Sequence, residues 1–135
     1  MGLSGKSLLA LDVGEKRIGV ATASGSIRIA VSLDTINVDG TEVEQLARII
    51  ADEKTDILVV GYPRNQSGEA TAQTQFVEDF VTRLNGMVAT TVYQDESLTS
   101  VMAETQLKAD GRPYNKGDID ARAAAIILQD YMESH

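Results

Sequence analysis

Short apolar runs alternate with polar turns along this chain, a pattern that predicts a sheet crossed by helices. Residues 8–11 and 57–60 are apolar throughout, as is typical of strands buried on both faces. Apolar residues recur every three or four positions between Phe76 and Leu84, which favours an amphipathic helix. The predicted strands are 7–12, 17–23, 28–38, 56–61 and 87–93, and the predicted helices are 41–54, 70–84, 99–109 and 118–132.

This order of elements predicts the fold class. Three strands joined by short turns favour an antiparallel meander, and the next two strands are reached through helices. We therefore expect an α/β fold with a mixed five-stranded sheet flanked by helices. The 135 residues are enough for one core, and we expect a single domain over residues 1–135.

Local motifs predict where several elements end. Thr41 and Glu44 have the spacing of a capping box, with Thr41 as the N-cap. Gly86 is a fitting C-cap for the helix over 70–84. Asp118 has the character of an N-cap for the last helix. In the third predicted strand, Ile29, Val31 and Leu33 occupy alternate positions and so share one face.

Three carboxylates lie where apolar runs end or begin. Asp12 closes the first strand, Glu96 follows the fifth, and Asp120 heads an apolar stripe of the last helix. Burial of an ionised carboxylate costs several kcal/mol unless a partner compensates it. If the fold brings the three together, a hard divalent cation is the expected partner, and such a site suits catalysis on phosphate. The alternative for Asp120 is a favourable interaction with the helix N-terminus.

The composition removes several classes of enzyme. The chain has no cysteine, and its single histidine is the last residue, His135. Disulfides, thiolate nucleophiles, Ser-His-Asp catalysis and zinc sites built from Cys or His are therefore excluded. No apolar run is long enough to cross a bilayer and no signal-peptide pattern is present, so we expect a cytoplasmic protein.

The net charge of −8 argues against a protein that coats nucleic acid non-specifically, but it leaves room for a local basic rim. Gly14 allows a tight turn or a close approach to a phosphate. Arg64 and Asn65, after the fourth strand, are candidates for contacts to substrate phosphate, with a plain loop as the alternative. The remaining basic candidates near the expected site are Lys16, Arg17, Arg112, Lys116 and Arg122.

Other interpretations stay open at this point. An Asp-x-Gly hairpin also begins sugar kinases and actin-like ATPases, although those proteins need two lobes and a longer chain. Asp95 either faces the metal or caps the next helix. Tyr62, Tyr93 and Tyr114 either stack on bases or pack in the core and at its rim.

The chain resembles the YqgF (RuvX) family of RNase H-like proteins nearly from end to end. Four motifs of that family have counterparts here in the same order. The first comprises residues 11–14 and 16–21, and the second comprises residues 59–63, Asn65 and Gly68. The third comprises residues 95–101 and 103–104, and the fourth comprises residues 115–120, 123–124 and 127–131. The family usually has Arg where this chain has Ser97.

The resemblance implies an RNase H-like fold and a nuclease with Asp12, Glu96 and Asp120 as its acidic site and Mg²⁺ or Mn²⁺ as cofactor. Family members are associated with maturation of the 5′ end of pre-16S rRNA, and were described earlier as Holliday junction resolvases by analogy with RuvC. We expect Asp12 to be shared by two cations about 4 Å apart. The alternatives are a junction resolvase, which needs a dimer, and a non-catalytic RNA-binding factor of ribosome assembly.

Overall fold

The computed structural model describes residues 2–64, 67–96 and 99–135. Its five strands and four helices follow the predicted order. They are β1 (Ser7–Val13), β2 (Arg17–Ser24), β3 (Val31–Asn37), α1 (Glu42–Asp52), β4 (Ile57–Pro63), α2 (Ala72–Thr82), β5 (Thr90–Glu96), α3 (Thr99–Ala109) and α4 (Lys116–Glu133).

The strands form one mixed sheet in the order β3-β2-β1-β4-β5. β1 pairs with β2, and β2 with β3, in antiparallel fashion, whereas β4 runs parallel to both β1 and β5. The predicted mixed five-stranded sheet is thus confirmed. Because β1, β4 and β5 are parallel, their carboxyl ends lie at the same edge, which is where α/β sheets bind ligands.

Alternation along the central strands divides the core between the two faces of the sheet. Leu8 and Ala10 of β1 pack with α4, which contributes Ile127 and Leu128. The other face packs against α1 and α2; its buried residues include Leu9, Leu11, Val60, Leu46 and Phe80. α3 packs outside the sheet, against α4, through Ala103, Ala123 and Ile126. The helix α4 therefore has the sheet on one side and α3 on the other, which explains why the apolar residues between Ala121 and Leu128 are all buried.

The helix caps differ from the predicted ones. Thr41 precedes α1 but makes no side-chain cap bond, because its hydroxyl oxygen accepts from the Gln45 side chain at 2.8 Å while its O–H donates to Asp39. Asp118 is not the N-cap of α4: Asn115 is, and the two side chains form a reciprocal capping box. The sequence interpretation placed the start of α4 at the acidic residue, whereas the helix begins at Lys116 and the asparagine before it accepts from the Asp118 N–H.

Gly86 is not the C-cap of α2, which ends at Thr82 with Arg83 as its cap. The glycine instead takes a left-handed conformation, with φ +86°, in the turn that follows. This longer turn delays β5, which begins at Thr90 rather than at residue 87. The strand extends to Glu96 because its pairing with β4 continues to Pro63, so this carboxylate is part of β5 instead of following it.

The third strand begins later than predicted, at Val31. Residues 28–30 are held by Gln129 of α4, whose amide oxygen accepts from the Ala30 N–H at 3.0 Å and whose amide nitrogen donates to the Arg28 carbonyl at 3.2 Å. Arg28 also has a left-handed φ of +63°, which is incompatible with a continuous strand. The apolar side chains that alternate here are exposed at the sheet edge; they are Ile29, Val31 and Leu33.

Among the described residues, no helix combines the length and the apolar character needed to cross a membrane.

Candidate active site

Asp12 and Glu96 meet at the carboxyl edge of the parallel strands. Asp12 is the sixth residue of β1, and Glu96 is the last residue of β5. Their carboxyl groups share a hydrogen bond, which requires one of the two to carry a proton. The fold thus brings together two of the three carboxylates that the sequence singled out.

Burial is the main cause that raises the pKa of Asp12 well above its ordinary value, and the nearby charges of Glu96 and Asp120 raise it further. Burial also raises the pKa of Glu96, although its hydrogen bond with Asp12 works in the opposite direction. The hydrogen bond between them therefore adds to the rise in the pKa of Asp12 and limits the rise in that of Glu96. Burial and the neighbouring negative charges both disfavour the ionised form of a carboxyl group, which is why the two pKa values are raised.

Glycine at position 61 makes room for the Glu96 carboxylate. Gly61 lies on β4, between the two strands that carry the acids, and a Cβ there would overlap Glu96 Oε2 and come within 2.7 Å of Ile127 Cδ1. Glu96 Oε2 is buried and has no hydrogen-bond partner among the described residues. A buried carboxylate oxygen without a partner is costly, and a bound cation would satisfy it.

Asp120 reaches the same edge from the first turns of α4. Gly19 of β2 is the register partner of Asp12, and a Cβ at Gly19 would overlap the Asp120 carbonyl and lie 2.9 Å from Ala121 N. The absence of a side chain at position 19 thus lets α4 approach β2 closely enough for the Asp120 charge to affect Asp12.

The Asp120 carboxylate contacts Arg17. Arg17 Nε donates to Asp120 Oδ2 at 2.6 Å, and the two side chains are 32% and 21% exposed. Within residues 2–64, 67–96 and 99–135, no three acidic, histidine or cysteine side chains are already grouped as ligands of a metal ion. From the sequence, Arg17 was predicted to contact the substrate and Asp120 to ligate a metal ion, and an ion pair between them was not predicted.

Lys16 and Arg17 are the predicted basic residues that lie beside Asp120, whereas Arg122 is paired with Asp110 at 3.2 Å. A groove of about 400 Å³ beside Asp120 is lined by Gly14, Glu15, Lys16, Arg17 and Gln73. Gly14 makes the expected tight turn, since its N–H donates to the Arg17 carbonyl at 3.0 Å. Lys116 is exposed at the first position of α4. Asn65 and Ser97 lie outside the described residues.

Gln73 of α2 is a residue of this groove that the sequence did not indicate. Its amide donates to the carbonyl of Val13, next to Asp12, at 3.3 Å. The signal that could have found it is weak, because a glutamine near the start of a helix is most often a solvated residue.

Arg64 and the tyrosines form a separate cluster. Arg64 lies over the Tyr62 ring, 5.0 Å from its centroid, and 3.4 Å from Asp95. Tyr62 and Tyr93 are in tilted contact with centroids 4.8 Å apart, while Tyr114 donates to Glu104. The Asp95 side chain is 67% exposed. Among the described contacts, it pairs with Arg64 and not with Asp12 or Glu96.

The chain was compared with protein-family models and with curated proteins. The model of the RuvX family, described as Holliday junction resolvase, matches residues 6–134. A protein of Rippkaea orientalis named "Putative pre-16S rRNA nuclease" is 43% identical over 133 residues, covering 95% of this chain and 96% of the relative. A protein of the same name from Chloroflexus aurantiacus is 42% identical and covers 94% of this chain and 86% of its own.

Solved structures confirm the predicted RNase H-like fold. RuvC of T. thermophilus in complex with a Holliday junction substrate superposes with a TM-score of 0.60 at 12% identity, covering 96% of this chain and 94% of RuvC. The Fowlpox virus resolvase superposes with a TM-score of 0.55 at 14% identity, covering 95% and 97%. Identities this low establish a shared fold.

The family match spans all four motifs noted in the sequence and every element from β1 to α4. Together with relatives that share more than two fifths of their residues over nearly the whole chain, it shows that this chain belongs to the RuvX family.

Proposed function

We propose that this protein is a divalent-metal-dependent nuclease that hydrolyses phosphodiester bonds in the 5′ region of pre-16S rRNA. The observation that carries the proposal is the Asp12–Glu96 pair, with its raised pKa values and with the unpartnered Glu96 Oε2. The names of the relatives support the rRNA substrate. The cytoplasmic location expected from the sequence, and a single domain over residues 1–135, belong to the same proposal.

The donor set fits a hard cation, because every candidate ligand is a carboxylate oxygen. Asp12, Glu96 and Asp120 would hold Mg²⁺ or Mn²⁺. When bound, such a cation activates water and neutralises charge on the reacting phosphate. Loss of the proton that Asp12 and Glu96 share would accompany binding, since a carboxylate must be ionised to act as a ligand.

The basic residues of the groove have a different task in this proposal. Lys16 and Arg17, at the start of β2, would contact phosphates of the bound strand, and Gly14 would let the backbone come close to it. Lys116 at the start of α4 would extend the same path. Arg64 would contact phosphates on the other side of the acidic pair, and Asn65 keeps the role in phosphate binding that was expected from the sequence.

Cleavage assays test this function directly. End-labelled RNA containing the 5′ precursor segment of 16S rRNA, duplex RNA and a four-way DNA junction would each be incubated with the protein in Mg²⁺, Mn²⁺ or EDTA. We expect metal-dependent cleavage of the precursor by the wild type and none by Asp12→Asn. Cleavage that persists in EDTA or in Asp12→Asn would contradict the assigned site.

Junction resolution is the second candidate, favoured by the description of the matching family model. Symmetric cleavage of the four-way junction, with no cleavage of the precursor RNA, would select it. Metal-independent binding of RNA without turnover of any substrate would instead select the non-catalytic assembly factor.

A further inference from the structure

The ion pair between Arg17 and Asp120 conflicts with the functions proposed for its two residues, because Arg17 would contact phosphate and Asp120 would bind a cation. Arg17 Nε donates a hydrogen bond to Asp120 Oδ2 at 2.6 Å, and both side chains are more than half buried. A carboxylate oxygen that ligates a cation is a poor acceptor for a guanidinium, and the two positive charges repel each other. Similarly, a guanidinium held by a carboxylate is less available to a phosphate.

We propose that Arg17 and a divalent cation compete for Asp120, so that binding of the cation releases the Arg17 guanidinium to a phosphate of the nucleic-acid strand. The inference rests on the proposed function, because it takes Asp120 as a metal ligand. It adds an order of events in which the protein loads its cation first and then binds its substrate tightly.

The local geometry allows this exchange without a change of fold. Arg17 is at the first position of β2, and its backbone is fixed by the hydrogen bond from Gly14, so only the side chain needs to move. The groove of about 400 Å³ beside the pair gives that side chain space. Asp120 lies against Gly19, the register partner of Asp12, so a cation held by Asp12 and Glu96 would be near its carboxylate.

Linkage makes the competition measurable. If Arg17 must leave Asp120 before a cation binds there, removal of the guanidinium strengthens cation binding. Lys16 is the matched control, because it has the same charge, lines the same groove and is exposed, and no ion pair joins it to Asp120 among the described contacts. Arg17→Lys is the second variant, since it keeps a positive charge beside Asp120.

Calorimetric titration with Mn²⁺ would be carried out on the full chain and on Arg17→Gln, Arg17→Lys and Lys16→Gln. We expect Arg17→Gln to bind Mn²⁺ about five- to tenfold more tightly than wild type, the size of a partly buried ion pair. Lys16→Gln should change the affinity by no more than about twofold, because exposed charges are screened. Arg17→Lys should lie between them. Equal effects of Arg17→Gln and Lys16→Gln, or no effect of either, would overturn the competition.

A spectroscopic measurement follows the pair itself. In ¹H–¹⁵N spectra, saturating Mg²⁺ should move the Arg17 Nε–H signal of the wild type toward its position in Asp120→Asn without metal. A signal that stays in place while Mg²⁺ binds would show that the pair persists, and would overturn the proposal.

The release to phosphate is tested in EDTA, where no cleavage occurs if the proposed function is correct. Single-stranded RNA binding would be compared for wild type, Arg17→Gln, Asp120→Asn and the double variant. Arg17→Gln should reduce RNA affinity more in the Asp120→Asn background, where the guanidinium is free, than in the wild type. If Arg17→Gln reduced RNA affinity equally in the two backgrounds, the release of Arg17 to phosphate would be overturned.

These results separate the proposal from the function on which it rests. Metal-dependent cleavage by the wild type together with unchanged Mn²⁺ affinity in Arg17→Gln would remove the competition and leave the nuclease. Absence of Mn²⁺ binding by every variant would overturn both.

Discussion

Asp12 and Glu96 share a hydrogen bond although their strands are not neighbours in the sheet. β4 lies between β1 and β5, and the two side chains can meet across it because position 61 has no side chain. The contact between Asp12 and Glu96 therefore depends on β1, β4 and β5 together, and the residues that allow it can be substituted one at a time.

Asp12→Asn should stabilise the metal-free protein at neutral pH while it removes cleavage. The substitution replaces a carboxylate whose ionisation is opposed by burial and by two neighbouring acids with a neutral group of the same shape. We expect a gain of about 1–2 kcal/mol in the free energy of unfolding. Urea denaturation in EDTA at pH 7 measures it, and a less stable variant would show that Asp12 is compensated within the protein.

The stability of the metal-free wild type relative to Asp12→Asn should decrease with rising pH. Because the pKa of Asp12 is raised in the folded state, the folded protein keeps a proton that the unfolded chain releases. The difference should therefore be small below about pH 4 and should grow until the pH passes the raised pKa of Asp12. Unfolding curves between pH 3 and 8 measure it, and a constant difference would contradict the raised pKa.

Gly61→Ala should displace the Glu96 carboxylate. The added Cβ would overlap Glu96 Oε2 and press on Ile127 Cδ1. We expect a destabilisation of about 1–3 kcal/mol and a loss of cleavage of about tenfold or more, because small displacements of catalytic groups are costly.

A second substitution shows which of the two contacts of the new methyl group causes the loss of cleavage in Gly61→Ala. Ile127→Val removes the Cδ1 atom that the new methyl group meets, but it leaves the overlap with Glu96. In the Gly61→Ala background it should restore part of the stability and little of the cleavage. Full recovery of cleavage would show that the defect came from packing against α4.

Gly19→Ala should be more harmful to stability than Gly61→Ala. At position 19 the neighbours of an added Cβ are backbone atoms of Asp120 and Ala121, which cannot rotate away as a side chain can. We expect a loss of about 3 kcal/mol or more, since α4 would have to move away from β2. Chemical denaturation of both variants measures the ranking, and the reverse order would contradict the close contact between α4 and β2.

The two helix caps should respond differently to alanine. Asn115→Ala removes a side chain that accepts from the Asp118 N–H at 2.9 Å and should cost about 1 kcal/mol. Thr41→Ala removes a hydroxyl that makes no cap bond with α1 and should cost less. Thermal unfolding of the two variants compares them, and a larger effect at Thr41 would restore the capping box predicted from the sequence.

The predictions that failed were those in which one local motif competed with another. Thr41 and Glu44 have the spacing of a capping box, but the threonine oxygen accepts from the Gln45 side chain instead of from a backbone N–H. Gly86 has the conformation of a capping glycine and lies in a turn instead. The order of elements was correct because it depends on many apolar positions at once, whereas an end depends on one or two hydrogen bonds.

The order of strands and helices, the two-sided burial of β1 and β4, and the choice of Asp12, Glu96 and Asp120 as candidate site residues could all be predicted from the chain alone. These features follow from periodicity and from the high cost of placing acids beside apolar runs. Three relationships emerge only in the folded protein: Glu96 ends β5, Gly19 and Gly61 provide space beneath two of the acids, and Asp120 is paired with Arg17. Those relationships join residues far apart in the chain, and they depend on sheet register and on atomic distances that no local pattern encodes.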